Sequence, residues 1–341
     1  MITRYANTNS TTGGDGTTNA TTGANRAYPN LKEAIDSIGA SMSDNWTIYH
    51  SGTAADTGDL DQGTWDVDTN GYILNIIGQQ SPNHFDGAHT GKWDTGKAII
   101  TCTNRNGVYN NVPCNLWLEG LEVQVTVNNA GSYIGIKTSN ANQLDTVSCK
   151  AIWCQVKAVR TSGNVTCFES RPCDGGTTGE NLFANCIAWN GYTGFGGDWA
   201  SNKVYNCLAY GCEFSYVADA AWLVKNCRSA ACTNSEFVGT FHASSDYNMD
   251  GSDSSAPGTN SLHAQSQSFA DAANGDFHIP SADPGIGEGV GPSVDSVVPS
   301  TDIDGHTRSG STCDIGADEY YLAPIVDAPE KLRVVTGARW R

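Results

Sequence analysis

Along this chain the apolar residues come in short runs. Trp46-Thr47-Ile48-Tyr49-His50, Tyr72-Ile73-Leu74-Asn75-Ile76-Ile77-Gly78, Ala98-Ile99-Ile100-Thr101-Cys102 and Leu116 to Val125 are β-branched or aromatic in character, parted by Gly, Asn and Asp. Such runs predict strands. One stretch differs. Leu31, Ala34, Ile35 and Ile38 recur at helical spacing, with Asn30 placed as N-cap and Glu33 three residues on. That predicts a short amphipathic helix after an irregular, Thr-, Asn- and Gly-rich entry over residues 5–27.

The strands repeat. Phe183-Ala184-Asn185-Cys186-Ile187-Ala188, Val204-Tyr205-Asn206-Cys207-Leu208-Ala209 and Val224-Lys225-Asn226-Cys227-Arg228-Ser229 align without gaps. Residues around Cys149 and Cys167 are weaker copies, so the cysteines step by 18, 19, 21 and 20 residues. One step predicts one coil of a solenoid. Asn185, Asn206 and Asn226 are then expected at a bend, where Asn tolerates left-handed geometry and stacks on the Asn of the next coil. Cys149, Cys167, Cys186, Cys207 and Cys227 are expected as an inner column of small residues.

These patterns predict an all-β fold, a right-handed single-stranded parallel β-helix with a short N-terminal capping helix and a loop-rich C-terminal end. The expected divisions are 1–45 for entry segment and cap, 46–250 for the coils, 251–321 for a closing region and 322–341 for a tail. About eight coils between residues 97 and 250, about 4.8 Å apart, give a rod section roughly 40 Å long. A cap is expected because a bare solenoid end exposes apolar surface and strand edges.

The C-terminal part reads Thr301-Asp302-Ile303-Asp304-Gly305-His306-Thr307-Arg308 and then Cys313-Asp314-Ile315-Gly316-Ala317-Asp318-Glu319-Tyr320. It resembles the D-x-D-G-x-x-R…D-I-G-A-x-E ending of many right-handed parallel β-helix repeat proteins. Gly275-Asp276-Phe277-His278-Ile279-Pro280 before Gly285-Ile286-Gly287 is similar to the same family. The resemblance implies the fold and leaves the activity open, since its members include surface adhesins, polysaccharide enzymes and virion proteins. The ending is expected to be structural, with a ligand or metal site in its acids as the alternative. Arg308 pairs with Asp304 or Glu319, Gly305 and Gly316 permit unusual turns, and Asp314 belongs to the same knot.

Composition narrows the function. Charged residues make up 16% of 341, and 19 Lys and Arg against 36 Asp and Glu leave a formal charge of -17. So acidic a chain repels phosphate backbones, which argues against nucleic-acid binding. No apolar run is long enough to span a membrane. The start lacks the charged-then-apolar pattern of a secretory signal; the two readings are a signal already removed and assembly in a cytoplasm, and Met1 favours the second. The cysteines, with Cys154, Cys173, Cys212 and Cys232 trailing the first set, fit three states: buried thiols, disulfides across a bend, or metal sites. They spread along the axis, which disfavours a metal.

Hydrolases on this fold need paired carboxylates. Asp145, Glu169, Asp174, Glu180, Asp198, Glu213 and Asp219 are the candidates, and none shares a column of the cysteine repeat. No catalytic residue, metal ligand or cofactor is therefore assigned. Calcium at Asp59-Leu60-Asp61 or Asp66-Val67-Asp68 is the one cofactor left open. For binding, Trp189, Tyr192, Phe195, Asp198 and Trp199 form an aromatic, Gly-rich loop, with Trp153, Tyr210 and Trp222 expected on the same side. Exposed rings stack on sugars or anchor a partner; rings packed into the wall are the alternative.

The expected role is a noncatalytic component of a bacteriophage virion, such as a capsid decoration, head fibre or tail protein. It would present a β-helix surface to a glycan or a partner. The basic tail would pair with neighbouring subunits by strand addition, or remain flexible. The alternatives are an extracellular polysaccharide lyase or glycoside hydrolase, and a bacterial surface adhesin.

Overall fold

The computed structural model describes residues 1–60, 67, 69–79, 92–109, 115–140, 147–172, 179–198, 202–308 and 310–321. Trp199, Cys173, Asp61, Asp66, Asp68, Asp145, Asp174 and the tail over 322–341 lie outside them.

Among the described residues the regular structure is mostly β, with almost no helix. The first strands are β1 (Ile2–Asn7), β2 (Trp46–Ser51) and β3 (Ile73–Gly78), followed by β4 (Ile100–Thr103) and β5 (Val108–Tyr109). Strands then come in threes: β6 (Asn115–Glu119), β7 (Glu122–Val127) and β8 (Ser132–Asn140); β9 (Val147–Ile152), β10 (Gln155–Arg160) and β11 (Asn164–Pro172); β12 (Gly179–Ala184), β13 (Ile187–Trp189) and β14 (Thr193–Gly197). The last coils carry β15 (Asn202–Tyr205), β16 (Leu208–Tyr210), β17 (Phe214–Lys225), β18 (Arg228–Ala230) and β19 (Ser235–Phe241). A small hairpin, β20 (Gly289–Val290) with β21 (Thr312–Cys313), is antiparallel.

Each member of a triplet pairs with its counterpart in the coil before and after, always in parallel. The first face runs β1-β2-β3-β6-β9-β12-β15-β17 and the second runs β4-β7-β10-β13-β16-β18. The third runs β5-β8-β11-β14-β17-β19, and the 12-residue β17 belongs to both the first and the third. The result is a long, solenoid-like stack of parallel strands.

Three sequence expectations change. Strand β1 pairs with β2 from Ile2↔Trp46 to Asn7↔Ser51, so the stack begins well before residue 46. Among the described residues the second face holds six strands, not about eight, because the coils differ in length. The third concerns the cysteine column. Pairing aligns Glu119, Ile152, Ala184, Tyr205 and Lys225. The residues that follow, Gly120, Trp153, Asn185, Asn206 and Asn226, all have positive φ, at 60°, 53°, 50°, 51° and 52°. Next come Leu121, Cys154, Cys186, Cys207 and Cys227, all buried. Cys154 is thus the true neighbour of Cys186. Cys149 lies within β9 and Cys167 within β11, on different faces, and both are buried.

Cys154, Cys167, Cys186, Cys207, Cys212, Cys227, Cys232 and Cys313 are thiols. Burial pushes the Cys154, Cys167 and Cys207 thiols well above their ordinary range. Behind the third face, rings stack coil on coil. Phe168 lies 4.9 Å from Phe195, Phe195 5.1 Å from Tyr216, and Tyr216 4.7 Å from Phe237, each pair within 9° of parallel. Equivalent positions in a parallel stack sit one strand spacing apart, so planar side chains there stack face to face.

The six-residue helix α1 (Leu31–Asp36) buries Leu31, Ala34 and Ile35. Asn30 Oδ1 accepts from Glu33 N at 2.8 Å, and Asp56 Oδ2 accepts from Leu31 N at 2.8 Å.

The segment after residue 250 has little regular structure, yet it covers the second face. Its Phe277, Ile303 and Ala317 cluster with Ile187, Trp189, Leu208 and Ala230 of β13, β16 and β18. The bend asparagines hold it there. Asn185 Nδ2 donates to Thr301 O at 2.7 Å, while Asn226 exchanges bonds with Val290 N and O at 2.9 and 2.8 Å. The Asn206 amide lies 3.2 Å from Asn226 Nδ2, and 3.2 and 3.1 Å from Nη1 and Nε of Arg308. The asparagines therefore bind the covering layer more than one another.

Candidate functional site

Burial divides the predicted aromatic surface. Trp189 packs edge-on against Trp93 and Phe277 at 6.1 and 5.5 Å, beneath the covering layer. Tyr210 meets Phe269 and Phe277 there at 5.5 and 5.3 Å. Phe195 is a rung of the internal ring stack, and Trp222 is 0% exposed within β17. Phe195 and Trp222 belong to the core, and Trp189 and Tyr210 pack into the wall against the covering layer. A Trp or Phe that gains this much apolar contact stabilises more buried than displayed.

Tyr192 and Asp198 remain at the surface, and both line a trough along the outside of the third face. One cavity of about 350 Å³ runs over Tyr109, Ser132, Tyr133, Ile134, Asn164, Thr166, Glu169, Tyr192 and Thr193. A second of about 230 Å³ shares Thr166, Glu169 and Thr193 and continues over Gly196, Asp198, Val217 and Asp219. The trough thus crosses the strands from β5 to β17.

Strand register builds it. Ile134, Thr166, Thr193 and Phe214 form one column, and Tyr109, Lys137, Glu169, Gly196 and Val217 form another. Gly196 contributes no side chain between Glu169 and Val217, which leaves the opening; a Cβ there would press on Thr193 and Thr166 methyls at 3.0 and 3.4 Å. At Gly197, with φ of +145°, a Cβ would strike the Ser170 carbonyl oxygen at 1.9 Å. The glycine run therefore serves close strand contact. Lys137 Nζ lies 4.3 Å from the centre of the Tyr109 ring and donates to its hydroxyl at 3.0 Å. Tyr192 packs edge-on to Phe214 at 5.4 Å.

Three of the acids weighed as candidates, Glu169, Asp198 and Asp219, line the same cavity. The cysteine spacing hid this, because it placed Glu169 in a column with residues of another face. Counting outward positions from the Phe168-Phe195-Tyr216 rungs would have found it.

A larger open bay of about 760 Å³ beside the second face is lined by Lys157, Arg160 and Trp189 among others. Its cations are already engaged. Arg160 donates to the carbonyls of Gly163, Asn190 and Gly191, and Lys157 Nζ rests 4.0 Å over the Trp189 ring.

In the C-terminal ending, Arg308 pairs with Glu319 at 2.7 Å and also donates to Asp314 O and Gly316 O at 2.9 and 2.8 Å. Asp304 instead bonds His278. Gly305 and Gly316 have φ of 82° and 114°. Asp314 accepts from Gly287 N and Tyr320 N at 2.7 and 2.6 Å. Among the described residues no helix is long and apolar enough to cross a membrane.

No family model, no curated protein and no solved structure matches this chain.

Proposed function

We propose that this protein is a noncatalytic structural and binding component of a bacteriophage particle, a right-handed parallel β-helix capped by α1 that presents the third-face trough to a surface glycan. The trough carries the proposal. Its tyrosine rings suit sugar faces, and its carboxylates and threonine hydroxyls suit sugar hydroxyls. Its length across successive strands suits a chain of sugars. The thiol state of the buried cysteines supports assembly in a reducing compartment. The ending supports membership of the β-helix repeat proteins, and adhesion between neighbouring copies through the tail completes the proposal.

Binding is tested by calorimetry against polysaccharides purified from host cell surfaces. Saturable binding that falls about five- to tenfold in Tyr192→Ala is the expected result, since a stacked ring contributes on the order of 1–1.5 kcal/mol. No binding to any such polysaccharide, or binding indifferent to Tyr192, overturns the glycan assignment. Mass spectrometry of purified particles tests the other half, and absence from them removes it.

The three carboxylates in one cavity favour a second reading, glycoside hydrolysis. Release of shorter chains from a bound polysaccharide, abolished in Glu169→Gln or Asp198→Asn, would replace the noncatalytic role.

A further inference from the structure

Beyond the trough, a second cluster stands at the end of the covering layer. His278, Asp304 and Asp318 each offer one ligand atom, and these atoms lie within 4.8 Å of one another. His278 Nε2 is 2.7 Å from Asp304 Oδ2, and its other ring nitrogen, Nδ1, is 2.5 Å from Asp276 Oδ1. A carboxylate on the far nitrogen of an imidazole is the arrangement that fixes the tautomer and aims the near nitrogen at a metal. Asp318 is 6% exposed; one carboxylate oxygen accepts from Ile279 N at 2.8 Å, while the other, Oδ1, is buried with no hydrogen-bond partner. Asp304 Oδ1 is likewise buried without one, on a side chain 8% exposed. Buried carboxylate oxygens left unbonded are costly unless something cationic meets them.

Of the neighbours, His306 stands at the edge of the cluster, its Nδ1 3.3 Å from Asp302 Oδ2 and 3.9 Å from Asp304 Oδ2. Asp302 accepts from Asp304 N and His306 N through Oδ1, and from Glu319 N through Oδ2. Arg308 is held by Glu319 and two carbonyls. His278 is 35% exposed at its side chain, so the cluster opens to solvent on one side.

We infer that His278, Asp304 and Asp318 form a binding site for a single divalent transition-metal ion, with Asp276 positioning His278. One imidazole nitrogen with carboxylate oxygens suits zinc or a neighbouring first-row ion, whereas calcium takes oxygen ligands alone. Three protein ligands and an open side leave room for water on the ion. The ion would tie Asp304 and Asp318 to His278 and lock the covering layer.

The test uses the full chain and zinc itself. Calorimetry with zinc chloride should show one saturable site, lost in His278→Gln and in Asp318→Asn, with calcium not competing. X-ray absorption of the zinc-loaded wild-type protein should show nitrogen and oxygen neighbours at about 2.0–2.2 Å with imidazole scattering. That measurement needs no variant to fold. No saturable zinc binding, displacement by calcium, or a sulfur shell at about 2.3 Å, which would place the ion on cysteines, overturns the site.

Discussion

Arg228 and Asp283 form a doubly bonded ion pair sealed from solvent: Nη2 lies 2.6 Å from Oδ1 and Nη1 3.1 Å from Oδ2, with side chains 1% and 0% exposed. Arg228 leaves β18 toward the covering layer, and Asp283 belongs to that layer. The pair is therefore a bolt between the stack and its cover. Removing one partner strands the other charge, which costs roughly 3–5 kcal/mol. Asp283→Ala should lose about that much stability in denaturant unfolding, and proteases should then cut the 251–321 segment first. Replacing both residues by apolar ones of similar volume should restore most of the loss.

The ring stack gives a second expectation. Phe195 is buried between Phe168 and Tyr216, so Phe195→Ala should cost roughly 3–5 kcal/mol in guanidinium unfolding. Tyr192→Ala, three residues away on the trough, should cost less than about 1 kcal/mol. Equal losses would mean that the inward and outward positions are wrongly assigned.

Glu122 supplies a pH dependence. It is 2% exposed on β7, and burial outweighs a hydrogen bond from Asp94 N, pushing its pKa up to about 8. Nearby Asp94 raises it further, while Lys97 and Lys157 oppose. The folded protein therefore holds this proton more tightly than the unfolded chain does. Its stabilising contribution is complete below the ordinary value of 4.5 and is lost as pH rises through about 8. Urea unfolding at about pH 5 and about pH 9 should show a drop of a few kcal/mol that Glu122→Gln largely removes. An unchanged drop in the variant would clear Glu122 of the effect.

At the bends, Asn185→Gly and Asn185→Ala both lose the bond to Thr301 O, but only alanine must force a Cβ into a φ of 50°. Alanine should be the worse by roughly 1–2 kcal/mol in thermal or chemical unfolding. Parity would show that the side-chain bond, not the backbone, sets the need for asparagine.

What the sequence revealed follows the same physics. Asn-Cys at Asn185-Cys186, Asn206-Cys207 and Asn226-Cys227 announces a left-handed residue followed by an inward one, and that part of the repeat is legible. Trp153 occupies the same bend with φ of 53°, yet tryptophan carries no such signal, so the spacing points to Cys149 and Cys167 in place of Cys154. Their spacings imitate a coil length, while the aligned positions Leu121, Cys154 and Cys186 are 33 and 32 residues apart. The trough acids are legible as candidates, but their convergence is hidden for the same reason, since a wrong register puts Glu169 on the wrong face. The covering layer has no periodicity to read. Its order comes from Arg228, the bend asparagines and the apolar wall it meets.

That layer has a mechanical consequence. A stack whose coils touch only their neighbours unravels rung by rung from either end. Here one segment is fastened near three consecutive rungs, through Asn185, Asn206 and Asn226. It works as a splint: the rungs beneath it must let go together, so force or heat should peel the free end of the column gradually and break the splinted part in a single event.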